Sequence, residues 1–247
     1  SIGEHTYGQN IYPNDVMTAG EFSVISGPSK SKKSFLKASF AAAFVGGNFN
    51  NHFENIKGHR KEESECIIDF DTEQSSYYAQ RSFKNVGRMV GGQYANYYPF
   101  KLRRMSADER VSFIGQYLRQ NQYKKNIRLV FIDGIADLVN DSNDLVMSNE
   151  VVEQVMTWTD IYDIHICLVI HNAHGIKKPT GHLGSSVTKK AETVIFVSPE
   201  ENDKSIINVE CGYSRGMAFD QFSFQIGKDS LPHQVNGINP NEPEGYF

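Results

Sequence analysis

Long apolar runs are absent from this chain of 247 residues. No stretch approaches the roughly 18 residues of a membrane-spanning helix, and no leader pattern stands at its start. A soluble, cytoplasmic protein with no membrane partner is expected. Cysteine is scarce. Cys66, Cys167 and Cys211 lie far apart, without the spacing of a metal site or a disulfide framework. An odd, sparse set fits a reducing compartment, and Cys66 and Cys167 sit in apolar runs as small core residues. A basic excess is missing too. The formal charge of −4 excludes a surface coated in positive charge, so contact with nucleic acid must come from a local patch. No repeat recurs at solenoid periods. The chain starts abruptly at Ser1 without an initiator Met and is expected to be a piece of something longer. With 39% hydrophobic residues it can build one large α/β domain or two small ones.

The stretch around which the rest is organised is residues 22–35, F-S-V-I-S-G-P-S-K-S-K-K-S-F. An apolar strand-like run, Phe22 to Ile25, enters a turn of Gly27, Pro28 and Ser29. Lys30, Ser31, Lys32, Lys33 and Ser34 follow, and then a helical pattern begins at Phe35. Strand, small-residue loop, Lys-Ser and helix are the layout of a phosphate-binding loop. Backbone N–H groups and the helix N-terminus would hold the phosphates. Lys33 would reach the terminal phosphates, and the Ser34 hydroxyl would ligate Mg²⁺. One glycine of G-x-x-x-x-G-K-[ST] is missing, because Lys32 stands in its place. Glycine there permits positive φ, so Lys32 is expected at negative φ with its side chain turned away. The competing reading is a solvated basic loop ahead of a helix.

Elsewhere strands alternate with helices. Strands are predicted at 66–70, 97–103, 127–133 and 164–170, with helices over 34–45, 74–90, 106–121 and 145–162. Ser106 and Glu109 form a capping-box pair. A short helical segment holds Ser185, Ser186, Lys189 and Lys190, and strands follow at 193–198, 205–211 and 219–226. This order predicts an α/β fold, a mostly parallel twisted sheet with helices on both faces and a C-terminal antiparallel extension. Residues 1–19 read as a leading segment or linker, 20–228 as the main domain and 229–247 as a flexible tail.

Two strands end in carboxylates, where open α/β sheets place their chemistry. Asp133 closes I-R-L-V-F-I-D and would hold Mg²⁺ through water beside Ser34. Glu73, after I-I-D-F-D-T, is the candidate base that positions the attacking water, with Asp71 second. The plainer reading of Glu73 is a carboxylate favoured by a helix N-terminus. His171 and His174 flank a third strand end, where a polar residue could sense the γ-phosphate. An i, i+3 histidine pair without a third ligand is insufficient for zinc.

Taken together, G-P-S-K-S-K-K-S, I-I-D-F-D-T-E, L-V-F-I-D-G-I-A-D-L, L-V-I-H-N-A-H and H-L-G-S-S-V-T-K-K-A-E-T-V-I-F-V resemble the RecA-like P-loop ATPases over about residues 20–226. The similarity is to the hexameric-helicase branch of RepA and DnaB types, as found in bacterial mobile elements and phages. The resemblance implies ATP and Mg²⁺ as cofactors and Glu73, Lys33 and Arg215 as catalytic residues. It implies nucleotide contacts from Gly27 through Phe35, including Pro28, Ser29, Lys30, Ser31 and Lys32, and from His174 as γ-phosphate sensor. Ser34 and Asp133 would be the metal residues. Arg215, in C-G-Y-S-R-G-M-A-F, would be a finger reaching a neighbour's site, although Tyr213 stands where relatives often carry lysine. The loop 176–190 would face single-stranded DNA in a homo-oligomeric ring. Three functions follow as alternatives, namely a DNA helicase or mobilisation ATPase, a non-motor nucleotide switch or scaffold with weak hydrolysis, and a small-molecule kinase. The last lacks a recognisable arginine-rich lid.

Overall fold

The computed structural model of the chain describes residues 1–172 and 179–235. The leading residues are more ordered in shape than a linker. Glu4–Tyr7 (β1) and Asn10–Pro13 (β2) pair as an antiparallel hairpin through Gly8, whose φ is 63°. Ile2 and Val16 flank it and are buried, and Ile2 bridges to Ile56.

Next come Phe22–Gly27 (β3) and the helix Lys33–Val45 (α1), which Gly46 closes at φ 89°. Cys66–Asp71 (β4) leads through Ser76–Val90 (α2) to Tyr97–Lys101 (β5). The helix Ala107–Lys125 (α3) starts at the expected capping box. Ser106 Oγ accepts from Glu109 N at 3.3 Å, and Ser106 N donates to Glu109 Oε2 at 2.7 Å. Ile127–Asp133 (β6), Leu145–Tyr162 (α4), His165–His171 (β7) and Gly181–Lys190 (α5) complete the alternation. Thr193–Pro199 (β8), Ile206–Ser214 (β9), Phe222–Ile226 (β10) and Pro232–Val235 (β11) end the described chain.

These strands form one nine-stranded sheet in the order β11-β10-β9-β8-β3-β7-β6-β4-β5. From β8 to β5 every pairing is parallel, and from β8 to β11 every pairing is antiparallel. Central strands buried on both faces must be apolar along their length. Accordingly Ile25, Ile67, Phe131 and Val169 face the core under α1 and α2, while Val24, Ile68, Val130 and Leu168 face the core under α3, α4 and α5. Pro99 is tolerated because β5 is an edge strand. Tyr77 and Tyr78 are exposed on α2. Among the described residues no helix is long and apolar enough to cross a membrane.

The tail assignment needs correction. Residues 232–235 pair with β10 rather than hanging loose, and Leu231 is buried. The stretch carries little apolar content, so its ladder depends on backbone pairing and on Gln234. That residue's N–H donates to His52 O at 2.7 Å, and its Oε1 accepts from Glu54 N at 2.9 Å. Residues 236–247 lie outside the described residues. Truncation after Ser230 is expected to destabilise the fold by about 3 kcal/mol, the sum of one buried leucine and a few net hydrogen bonds. Urea unfolding followed by circular dichroism measures this, and an unchanged midpoint would show that β11 adds nothing.

Candidate nucleotide site

The loop after β3 is shaped by one close approach and two unusual torsions. A Cβ on Gly27 would stand 2.2 Å from Val197 O and 2.8 Å from Ser31 Oγ, so only glycine fits. Beyond it φ is positive at Lys30 (64°) and Lys32 (70°), and at neither Ser29 nor Ser31. Alternation of this kind turns successive N–H groups toward one side and makes a concave anion nest. The expectation of negative φ at Lys32 is therefore wrong. The lysine adopts the left-handed conformation that the missing glycine would have taken, because the cradle requires that backbone shape whichever residue supplies it. A non-glycine residue there costs about 1–2 kcal/mol. Phe35 N and Leu36 N bond Lys32 O at 3.0 and 3.3 Å and secure the first turn of α1, while the side chains of Lys30 and Lys32 stay exposed. Ser31 Oγ is buried beside Gly27 and has no partner among the described residues. An unsatisfied donor inside an anion nest suits a phosphate oxygen.

Lys33 is the first residue of α1, and its ammonium has three protons to place. They go to Gly27 O at 2.7 Å, Pro28 O at 2.8 Å and His171 Nδ1 at 2.9 Å. An ammonium only donates, so Nδ1 accepts, and the His171 Nε2–H is left to donate. Nε2 lies 2.9 Å from Glu73 Oε2 and 3.1 Å from Oε1. One directed chain thus runs Lys33–His171–Glu73 across the ends of β3, β7 and β4. The His171 hydrogen bond holds the Glu73 carboxyl below its ordinary range, with the charge of Lys33 helping. Burial pushes the Lys33 ammonium down to about 8, against the pull of Asp133 and Glu73.

Beside this chain lies a set of hard oxygen donors. Ser34 Oγ donates toward Asp133 Oδ2 at 3.4 Å and accepts from Gln74 Nε2 at 3.1 Å. A hydroxyl next to a carboxylate fits Mg²⁺, which takes oxygen ligands and keeps several waters. Asp71 turns the chain toward Glu73, its Oδ1 accepting from Glu73 N at 3.1 Å and Gln74 N at 2.8 Å. Its Oδ2 is buried without a partner among the described residues, and burial pushes the carboxyl up to about 6. Below them Lys37 Nζ reaches Asp69 Oδ1 and Asp133 Oδ2, each at 2.9 Å. Burial opposes the charge, yet Asp133 and Asp69 hold the Lys37 ammonium above its ordinary range. The strand ends are also tied to each other. Thr72 Oγ1 lies 2.9 Å from Asp133 O and 2.8 Å from Asp137 Oδ2, and a Cβ on Gly134 would collide with it at 2.3 Å.

The fold brings together Gly27, Pro28, Ser29, Lys30, Ser31, Lys32, Lys33, Ser34, Glu73 and Asp133. Phe35 is half-buried and packs against the core under α1. Arg215 is elsewhere. It follows β9 at the opposite end of the sheet, where its guanidinium donates to Glu21 Oε1 at 2.7 Å and Lys190 O at 2.9 Å. His174 and residues 176–178, with Lys177 and Lys178, lie outside the described residues. The remainder of the segment 176–190, expected to face DNA, includes α5, where Lys190 Nζ sits 3.7 Å from Glu153 Oε1. Sequence reasoning missed the contacts of His171, Gln74 and Lys37. Lys37 did carry a signal, because it follows Lys33 by four residues and so faces the sheet with it.

Comparison with known proteins identifies the family. A family model described as an AAA domain (AAA_25) matches residues 5–175. No curated protein matches the chain. The match spans well over half the sequence and contains the phosphate loop, Glu73, Asp133 and His171. The chain therefore belongs to this AAA domain family of P-loop ATPases, which is related to RecA-like helicase domains.

Proposed function

We propose that the chain is a RecA-like ATPase of the RepA and DnaB branch, working as a homo-oligomeric ring that couples ATP hydrolysis to DNA or to remodelling of a partner. The observation that carries this reading is the Lys33–His171–Glu73 chain beside Ser34 and Asp133. Hydrolysis needs a phosphate cradle, a lysine, a metal residue pair and a water-orienting carboxylate, and each has a candidate at one sheet end.

The resting contacts suggest how the parts act in order. A γ-phosphate is a stronger acceptor for Lys33 than a carbonyl oxygen or a neutral imidazole. Once Lys33 turns to it, His171 Nδ1 loses its donor, and the imidazole no longer has a fixed reason to hold Glu73. Glu73 then becomes free to orient water and accept its proton. His171 takes the sensor role assigned from sequence to His174. Mg²⁺, when bound, would neutralise charge on the phosphate oxygens, held by the Ser34 hydroxyl and, through water, by Asp133. Arg215 cannot serve its own loop from the far end of the sheet. In a ring it would serve a neighbour after leaving Glu21. Lys189 and Lys190 of α5, with Lys177 and Lys178, are the proposed contacts to single-stranded DNA.

A second reading, the non-motor switch, is favoured by one feature. All three protons of Lys33 are satisfied within the protein, which is a stable resting state. Turnover with and without single-stranded DNA separates the two. The motor reading expects stimulation, and a rate indifferent to DNA favours the switch.

Glu73→Gln is expected to slow ATP turnover by about 100-fold or more while leaving ATP affinity within a few-fold. Turnover at the wild-type rate would remove Glu73 from this role. Lys32→Gly is expected to raise stability, by up to about 1 kcal/mol, as left-handed strain is relieved against a looser unfolded chain. A loss of stability in urea would show that Lys32 makes a contact that outweighs the strain. ATP affinity should also weaken above pH 8. The free Lys33 loses its proton near there, whereas phosphate binding needs it charged. The fall should approach about tenfold per pH unit, and calorimetric titration at pH 7, 8 and 9 would expose a flat profile.

A further inference from the structure

Lys37 is an unusual residue to find beneath a nucleotide site. It lies on α1, one turn after Lys33 and on the same face, with its side chain 1% exposed. Its ammonium is shared between two carboxylates, Asp69 Oδ1 and Asp133 Oδ2, each 2.9 Å away. Asp69 is also satisfied from its other side, where Tyr97 OH donates to Oδ2 at 2.6 Å. Lys37 and Asp69 alone would form a closed, neutral buried pair of the kind that proteins tolerate. The structure instead divides the ammonium so that it also grips Asp133, the carboxylate proposed to serve the metal. Asp71 adds a further buried carboxylate on the same face of β4.

We propose that Lys37 is a resident cation of the nucleotide site, a positioning residue that fixes Asp133 and sets how strongly nucleotide binding depends on Mg²⁺. The proposal rests on the reading of residues 27–34 as a nucleotide cradle and of Asp133 as its metal-associated residue. A bare Asp133 would offer a full negative charge to an incoming divalent ion. With Lys37 on Oδ2, the trio of Lys37, Asp69 and Asp133 carries one net negative charge spread over two carboxylates. Part of the neutralisation is therefore supplied by the protein before any metal arrives, and the coupling between Mg²⁺ and nucleotide is correspondingly weak. A lysine that merely paired with Asp69 to stabilise the core would leave that coupling alone.

Two variants separate these roles because they push the coupling in opposite directions. Asp69→Asn leaves Lys37 with Asp133 as its one ion-pair partner among the described residues and should bind Asp133 more tightly. Lys37→Met with Asp69→Asn removes one charge of each sign, keeps the net charge of the trio and frees Asp133. The quantity to measure is the ratio of Kd in EDTA to Kd in Mg²⁺, for a non-hydrolysable ATP analogue titrated by calorimetry. Thermal melting of each protein checks its fold. Relative to wild type, the ratio is expected to rise about tenfold in the double variant, within the ordinary range of coupling between two ligands, and to fall in Asp69→Asn. Equal ratios in wild type and in either folded variant would overturn the role of Lys37 while leaving the nucleotide site intact. If the double variant does not fold, Asp69→Asn decides alone, since it retains a buried lysine–aspartate pair. Wild type that binds the analogue in neither condition would defeat the nucleotide reading itself.

Discussion

An ammonium group with three protons must find three acceptors once it is taken out of water, and Lys33 finds them in Gly27 O, Pro28 O and His171 Nδ1. Much of the site follows from that requirement. Gly27 must be free of a Cβ for the loop to curl this closely. The histidine must present Nδ1, which leaves Nε2–H facing Glu73. β3 must lie beside β7, with Gly27 in register with His171, or the two side chains could not meet. The order of the central strands thus brings the three residues into one line of hydrogen bonds.

Beneath that line lies a second, buried set of charges. Asp69, Asp71 and Asp133 share one face of adjacent strands, and α1 lies over them with Lys37 directed inward. Isolated charges at this depth would be expensive, so each needs a reason to be there. Asp71 spends one oxygen on the turn that carries Glu73 and Gln74. Asp69 and Lys37 compensate each other, and Asp133 stands between that pair and Ser34. Stability and chemistry therefore draw on the same carboxylates. A change made for one will register in the other.

The fold was legible because strands buried on both faces have to be apolar, and β3, β4, β6 and β7 are. Carboxylates closing such runs marked Asp133 and pointed to Glu73 without reference to any structure. The conformation of Lys32 was not legible, because residue type sets a preference in φ while the closure of the whole loop sets its value. Nor was the contact of His171 with Lys33. The predicted strand stops at residue 170, and only the extension of β7 to pair with Gly27 places His171 against Lys33. β11 escaped notice because its ladder uses backbone groups that every residue carries, with Leu231 as its main apolar contribution. Arg215 could be placed in a hairpin but not at an end of the sheet. That needed the antiparallel register of β8 with β9, which sets Thr193 opposite Ser214.

The central claim is that phosphate and His171 compete for one lysine. The measurement closest to it is the ¹⁵N spectrum of the His171 ring, recorded without nucleotide, with ADP and with a non-hydrolysable ATP analogue. The account predicts an Nε2–H tautomer with a hydrogen-bonded Nδ1 in the free protein, and a shift of Nδ1 when the ATP analogue binds that ADP does not reproduce. A ring spectrum that is the same in all three states, at saturating nucleotide, would contradict it.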